Sequence, residues 1–177
     1  MRTALICISP GELLLTLDEA KAHLRVDHCD DDAYIEDLIA VATADLDGAD
    51  GVLKRALREQ RWRLVLPGFC AAIPMPLPPL ISVDAVKYLD AEGEEQTVPP
   101  DTYRAVVNGT EPSSIVLKPG KSWPAALFAA DAVRIEFTAG YVRDDKPDVP
   151  RPIVAAAKLL IAQWYEQRTP VVVGTIA

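Results

Sequence analysis

His23, His28 and Cys29 stand within ten residues of Asp30, Asp31 and Asp32, and they are the one set of side chains in this 177-residue sequence with the look of a metal site. Their spacing argues against it. Zinc sites use paired Cys/His spacings, which are absent, and three consecutive Asp side chains cannot converge on calcium as alternating ones do. Three carboxylates just before a helix have a simpler use, because they favour the positive end of its dipole. Cys29 and Cys70 lie in no nucleophile motif. The glycines show neither GxGxxG nor P-loop spacing, so the sequence does not support a phosphate cradle. No catalytic residue, metal or cofactor is expected.

The remaining conspicuous side chains are apolar anchors. Trp62, Trp123 and Trp164 suit a core or an interface. Trp164 and Tyr165, with Arg168 at the polar end of the same helical stripe, are candidates for a subunit contact. Pro170 must stop that helix, so Val171, Val172, Val173 and Gly174 leave its axis as a short β-branched tail. Pro170 to Gly174 are therefore candidates for docking into a neighbouring protein, as an added strand.

Periodicity places these groups on elements. Thr16 or Asp18 caps a short helix running to about Val26. A longer helix, about 32–47, carries Ile35, Leu38, Ile39, Ala42 and Leu46 at helical spacing, with Gly48 as its stop. A further short helix is expected over 52–58. From Arg61 the period becomes two: Trp62, Leu64 and Leu66 share one side of a half-buried strand. Pro74, Pro76, Pro78 and Pro79 suggest an extended linker of polyproline character. Strands follow at about 81–89 (with a turn at Asp90–Gly93 and a return over 95–98), at 103–107 and 115–117 about an Asn108-Gly109 turn, and at 133–138. Pro150 and Pro152 pre-set a last helix whose stripe is Ile153, Ala157, Leu160, Ile161, Trp164 and Arg168.

The fold expected is α+β: a small helical bundle from both ends of the chain with an antiparallel β-rich lobe inserted. Residues 1–59 form the N-terminal helical part and 60–148 the β-rich insertion. Residues 149–177 form a C-terminal helix and tail that pack with 1–59.

Composition narrows the function. The net charge is -8 and lopsided: residues 1–60 carry 6 Lys+Arg against 13 Asp+Glu, residues 61–177 carry 12 against 13. An acidic segment does not attract duplex DNA, whose phosphates need Lys and Arg. It would suit the wall of a channel through which DNA slides without sticking. Three widely spaced cysteines without a CxxC fit a reducing environment. The apolar run at 3–8 is too short for a signal peptide, and no run is long enough to span a membrane.

Five blocks in order, Leu17-Asp-Glu-Ala-Lys-Ala-His-Leu-Arg-Val-Asp27, Pro78-Pro-Leu-Ile-Ser-Val83, Tyr88-Leu-Asp90, Phe137-Thr-Ala-Gly-Tyr141 and Trp164-Tyr-Glu166, resemble the adaptor (head-tail connector) family of tailed phages and gene transfer agents over about residues 14–173. That resemblance implies a non-enzymatic ring of twelve subunits below the portal of a DNA-filled capsid, in the virion neck and assembled in the bacterial cytoplasm. Such a ring extends the DNA channel and offers a platform to stopper and tail. Its partners would be other copies of itself, the portal, the stopper and tail proteins and the passing DNA, with no membrane. Two rival readings stand beside it. A stopper or tail-completion protein would be smaller and mostly β, and a small cytosolic enzyme with a dispersed site would be a monomer with a deep polar pocket.

Overall fold

The computed structural model describes residues 3–109, 111–142 and 148–167. Helix α1 (Leu17–Leu24) starts at a reciprocal cap: the Thr16 hydroxyl accepts from the Glu19 N–H, and the Glu19 carboxylate accepts from the Thr16 N–H. It ends at Arg25, whose φ of 58° turns the chain out of the helix. Helix α2 (Asp32–Leu46) buries the five apolar positions expected of it, and Gly48 follows it at φ +74°. Helix α3 (Arg151–Glu166) carries Pro152 in its first turn and buries Ala157 and Ile161.

Two antiparallel sheets form the rest. The first has the order β1-β2-β8-β4-β5, with β1 (Ala4–Ser9), β2 (Gln60–Leu66), β4 (Leu80–Leu89), β5 (Glu95–Thr97) and β8 (Val133–Ala139). The second has the order β3-β7-β6, with β3 (Ala72–Met75), β6 (Tyr103–Val106) and β7 (Ser113–Leu117). In β8 the residues Val133, Ile135 and Phe137 are fully buried, while Arg134 and Glu136 face out. The architecture is the expected α+β one, with helices from both ends of the chain and antiparallel sheets between.

Three local expectations need correction. Residues 52–58 are turns, not a helix. Tertiary partners capture the backbone there: Leu57 N–H donates to the Asp47 carboxylate at 2.7 Å, Ala56 N–H to Pro78 O at 3.2 Å, and Val52 N–H to Asp45 O at 2.7 Å. A seven-residue helix has too few internal bonds to compete. Residues 4–9 do not belong to a helical part; they form β1 and pair with β2 from Ala4↔Val65 to Ser9↔Arg61. The proline run is not one extended linker. Pro74 lies within β3, an edge strand where a missing N–H is tolerated, and the Pro78–Pro79 bond is cis.

The core has two parts. One lies between the sheets and includes Trp62, Leu64, Ile73, Val86, Ile115, Ile135 and Phe137. The other lies among the helices and includes Leu14, Leu15, Ile35, Ile39, Leu57, Tyr141, Ala157 and Ile161. Buried polar bonds tie them together. Gln60 Nε2 donates to both Asp47 carboxylate oxygens at 3.0 Å, and Trp62 Nε1 donates to Gln60 Oε1 at 2.8 Å. Arg58 is only 6% exposed and donates to Asp148 at 3.0 Å and to Leu14 O at 3.3 Å. Gly140, at φ +122°, lets β8 leave the sheet past this residue: a β-carbon there would stand 2.0 Å from Arg58 O.

Candidate interaction surfaces

The apparent metal cluster is taken apart by the fold. The three aspartates engage three different groups. Asp32 Oδ1 accepts from Lys21 Nζ at 2.5 Å, which ties α1 to α2 and holds the Lys21 ammonium above its ordinary pKa. Asp31 Oδ2 accepts from the Tyr165 hydroxyl at 2.5 Å, which ties the start of α2 to the end of α3. Asp30 faces outward with its side chain 95% exposed, 4.0 Å from His28 Nδ1. Among the described residues, no group of three or more His, Cys, Asp or Glu side chains is placed to hold a metal ion.

Trp164 and Tyr165 sit at this corner, both half-buried against the helical core. Their polar atoms serve the corner itself. The Tyr34 hydroxyl donates to Trp164 O at 3.2 Å, and the Tyr34 and Tyr165 rings lie 6.1 Å apart. Arg168 and the tail candidates Pro170, Val171, Val172, Val173 and Gly174 lie outside the described residues.

At the opposite end of α3 is a cleft of about 330 Å3 lined by Leu14, Leu15, Glu19, Arg58, Asp148 and Val149 with the first two turns of the helix. Arg151 and Lys158 reach it from α3, and among the described residues neither forms an ion pair. No side chain caps α3 and no acidic residue lies in its first turn, so its first N–H groups face the cleft with only Asp148 and Glu19 as carboxylates in the lining. Arg58 completes the floor. Its Nε is buried without a hydrogen-bond partner among the described residues. Periodicity alone did not point to this cleft, because its cations come from positions 58, 151 and 158.

The outer face of the larger sheet is charged but internally balanced. Glu136 accepts from Arg63 at 2.8 Å; Glu95 accepts from Arg134 at 2.9 Å and from Lys87 at 3.1 Å; Asp131 accepts from Arg134 at 2.7 Å. The Lys87 hydrogen bond, foremost, holds Glu95 below its usual range, and the Arg134 hydrogen bond does so for Asp131. Phe69 and Trp123, both partly buried against the core between the sheets, lie parallel at 4.7 Å, and Trp123 Nε1 donates to Cys70 O at 2.9 Å. Of the three tryptophans, Trp62 is a core residue, Trp123 stacks on Phe69 at the margin of the same core and Trp164 closes the helical corner. No described helix is long and apolar enough to cross a membrane.

The family described as phage gp6-like head-tail connector protein matches residues 14–107, more than half of the chain. Solved structures extend the likeness to nearly all of it. A chain in the virion of a native gene transfer agent (GTA) particle is 26% identical, with a TM-score of 0.75, over 99% of this chain and 90% of that one. A chain in the neck of an empty GTA particle, computed with C6 symmetry, is 25% identical with a TM-score of 0.73, over 99% and 89%. A chain in the neck of a native GTA particle, computed with C12 symmetry, is 26% identical with a TM-score of 0.67, over 99% and 89%. No curated protein matches the sequence.

Proposed function

The chain belongs to the phage gp6-like head-tail connector family, and from that membership we propose that it forms a cyclic ring in the neck of a DNA-filled particle, joining the portal above to the stopper and tail below. One observation carries the proposal: 99% of the chain follows the backbone of chains in GTA necks solved with C6 and C12 symmetry. Cyclic closure uses head-to-tail contacts between unlike surfaces of identical subunits, so the protein needs two complementary faces rather than an active site. On this reading it is not an enzyme, it assembles in the bacterial cytoplasm and the ring holds twelve copies.

The finer assignments follow the chemistry of the chain. Residues 1–60, with 13 acidic against 6 basic side chains, would let DNA pass along the channel without binding it. Pro170, Val171, Val172, Val173 and Gly174 are proposed as the portal contact, where burying three valines contributes a few kcal/mol per copy before ordering costs, at roughly 1.5 kcal/mol each. Around a ring that contact gains avidity. Trp164 and Tyr165, with Arg168, are proposed as part of a subunit contact.

Electron microscopy of particles carrying a tagged copy tests the function. A ring of tag density between capsid and tail is expected; one or two copies per particle by mass measurement would overturn it. Deleting residues 170–177 tests the tail: the fold should survive and attachment to the portal should fail.

A further inference from the structure

We propose that neighbouring copies join through a charge-complementary contact, in which the outward carboxylates Asp27 and Asp30 of one copy enter the cationic cleft at the start of α3 in the next. The inference rests on the ring reading above and names the two faces that the ring would use.

The first observation is the fate of the acidic corner. Of its four aspartates, Asp31 and Asp32 turn inward to Tyr165 and Lys21. Asp27 and Asp30 remain exposed, and no described Lys or Arg pairs with either. A turn of chain that spends two carboxylates on its own architecture and leaves two facing out has surplus charge at a rigid, well-tied place.

The second observation is the cleft. In a chain of net charge -8 it gathers Arg58, Arg151 and Lys158 at the uncapped start of a 16-residue helix. Glu19 is engaged in the α1 cap and Asp148 in the Arg58 ion pair, so the carboxylates in the lining are already committed. Arg58 is a buried guanidinium, held against the cleft by Asp148 and Leu14, whose Nε has no partner among the described residues. The groups an arriving carboxylate meets are the Arg151 and Lys158 cations and the uncapped N–H groups of the helix start.

The third observation is position. The corner lies at the C-terminal end of α3 and the cleft at its N-terminal end, about 20 Å apart along the helix axis. Opposite charges at the two ends of one helix form two different faces of the subunit, so their contact repeats head to tail and closes into a ring when the rotation allows. Copies of the same acidic protein otherwise repel, so a complementary pair of faces also sets which approach is tolerated.

Charge exchange tests the contact in assembled particles. Three tagged proteins would be compared with the parent: Arg151→Glu with Lys158→Glu, Asp27→Lys with Asp30→Lys, and all four changes in one chain. Each double variant should lower the fraction of ring-bearing particles at least about tenfold, because like charges then face each other. The fourfold variant should regain rings, since its polarity is reversed on both sides. Glutamate at position 151 suits the first turn of a helix, so the fold is retained, which thermal melting of each protein checks. Double variants that still form rings would overturn the contact. So would a fourfold variant that folds but forms none, as expected if the cleft serves DNA phosphates or another protein. A parent protein that forms no ring at all would instead sink the function proposed above.

Discussion

The helical end and the sandwich handle charge in opposite ways. On the outer face of the larger sheet, Arg63, Arg134 and Lys87 meet Glu136, Asp131 and Glu95 within the same subunit. On that surface the charges pair within the subunit, although Arg63 Nε, like Arg58 Nε, has no hydrogen-bond partner among the described residues. At the helical end, polar groups such as Lys21, Asp32, Asp31 and Tyr165 tie the helices together, and a second set (Asp27, Asp30, Arg151 and Lys158) is left facing outward. The difference teaches where partners are to be sought. A surface whose charges are paired in register across strands gains little from a partner, whereas unpaired opposite charges at two ends of one helix gain much.

The comparison breaks most visibly in the cores. Phe137 is fully buried in the middle of the sandwich, and Phe137→Ala should cost about 3–5 kcal/mol. Because the Asp47–Gln60–Trp62 bonds couple the two cores, chemical denaturation followed by helical circular dichroism and by tryptophan fluorescence, with Trp164→Phe so that only Trp62 and Trp123 report, should shift together. Separate transitions would show two independent ends.

A smaller loss is expected at the junction. Gly140→Ala puts a β-carbon 2.0 Å from Arg58 O at a φ of +122°, so the crossing from β8 toward the helices must shift, at a cost of about 3 kcal/mol. The melting midpoint checks this, with Gly93→Ala, in open space, as the milder control.

Tyr165→Phe removes only the hydroxyl that reaches Asp31, and should cost about 1 kcal/mol with little change in the sandwich. Hydrogen exchange should quicken at the start of α2 and the end of α3 while the β8 amides stay protected.

The smallest effect concerns the paired face. Glu95 and Asp131 lie below their ordinary values of 4.5 and 3.8 in the folded protein. Their contribution is therefore present above those values and lost as pH falls through the lower folded ones. Glu95→Gln should leave neutral-pH stability nearly unchanged, because the pair is exposed, and should slightly flatten the acid limb below about pH 4.5 of a melting-midpoint titration.

Much of this protein was legible in its residues because the signals were local. The cap at Thr16 (one of the two candidates there), the 3.6-residue stripe of α2, the alternation of β8 and the Pro152 start of α3 all act within a few residues, and each element formed where its pattern stood. The ordered blocks that resemble head-tail connectors were equally readable, since order along a chain is a property of sequence. What failed to show depended on partners distant in the chain. Residues 52–58 lost their helix to bonds from Asp45, Asp47 and Pro78, and the short apolar run at 4–9 became a strand only because β2 offered its edge. The aspartates of the acidic corner looked alike in sequence, yet Tyr165 and Lys21 drew two of them inward and left Asp30 out. The cleft of Arg58, Arg151 and Lys158 joins residues about a hundred positions apart, and only the tertiary fold brings them together, because charge acts through space while periodicity acts along the chain.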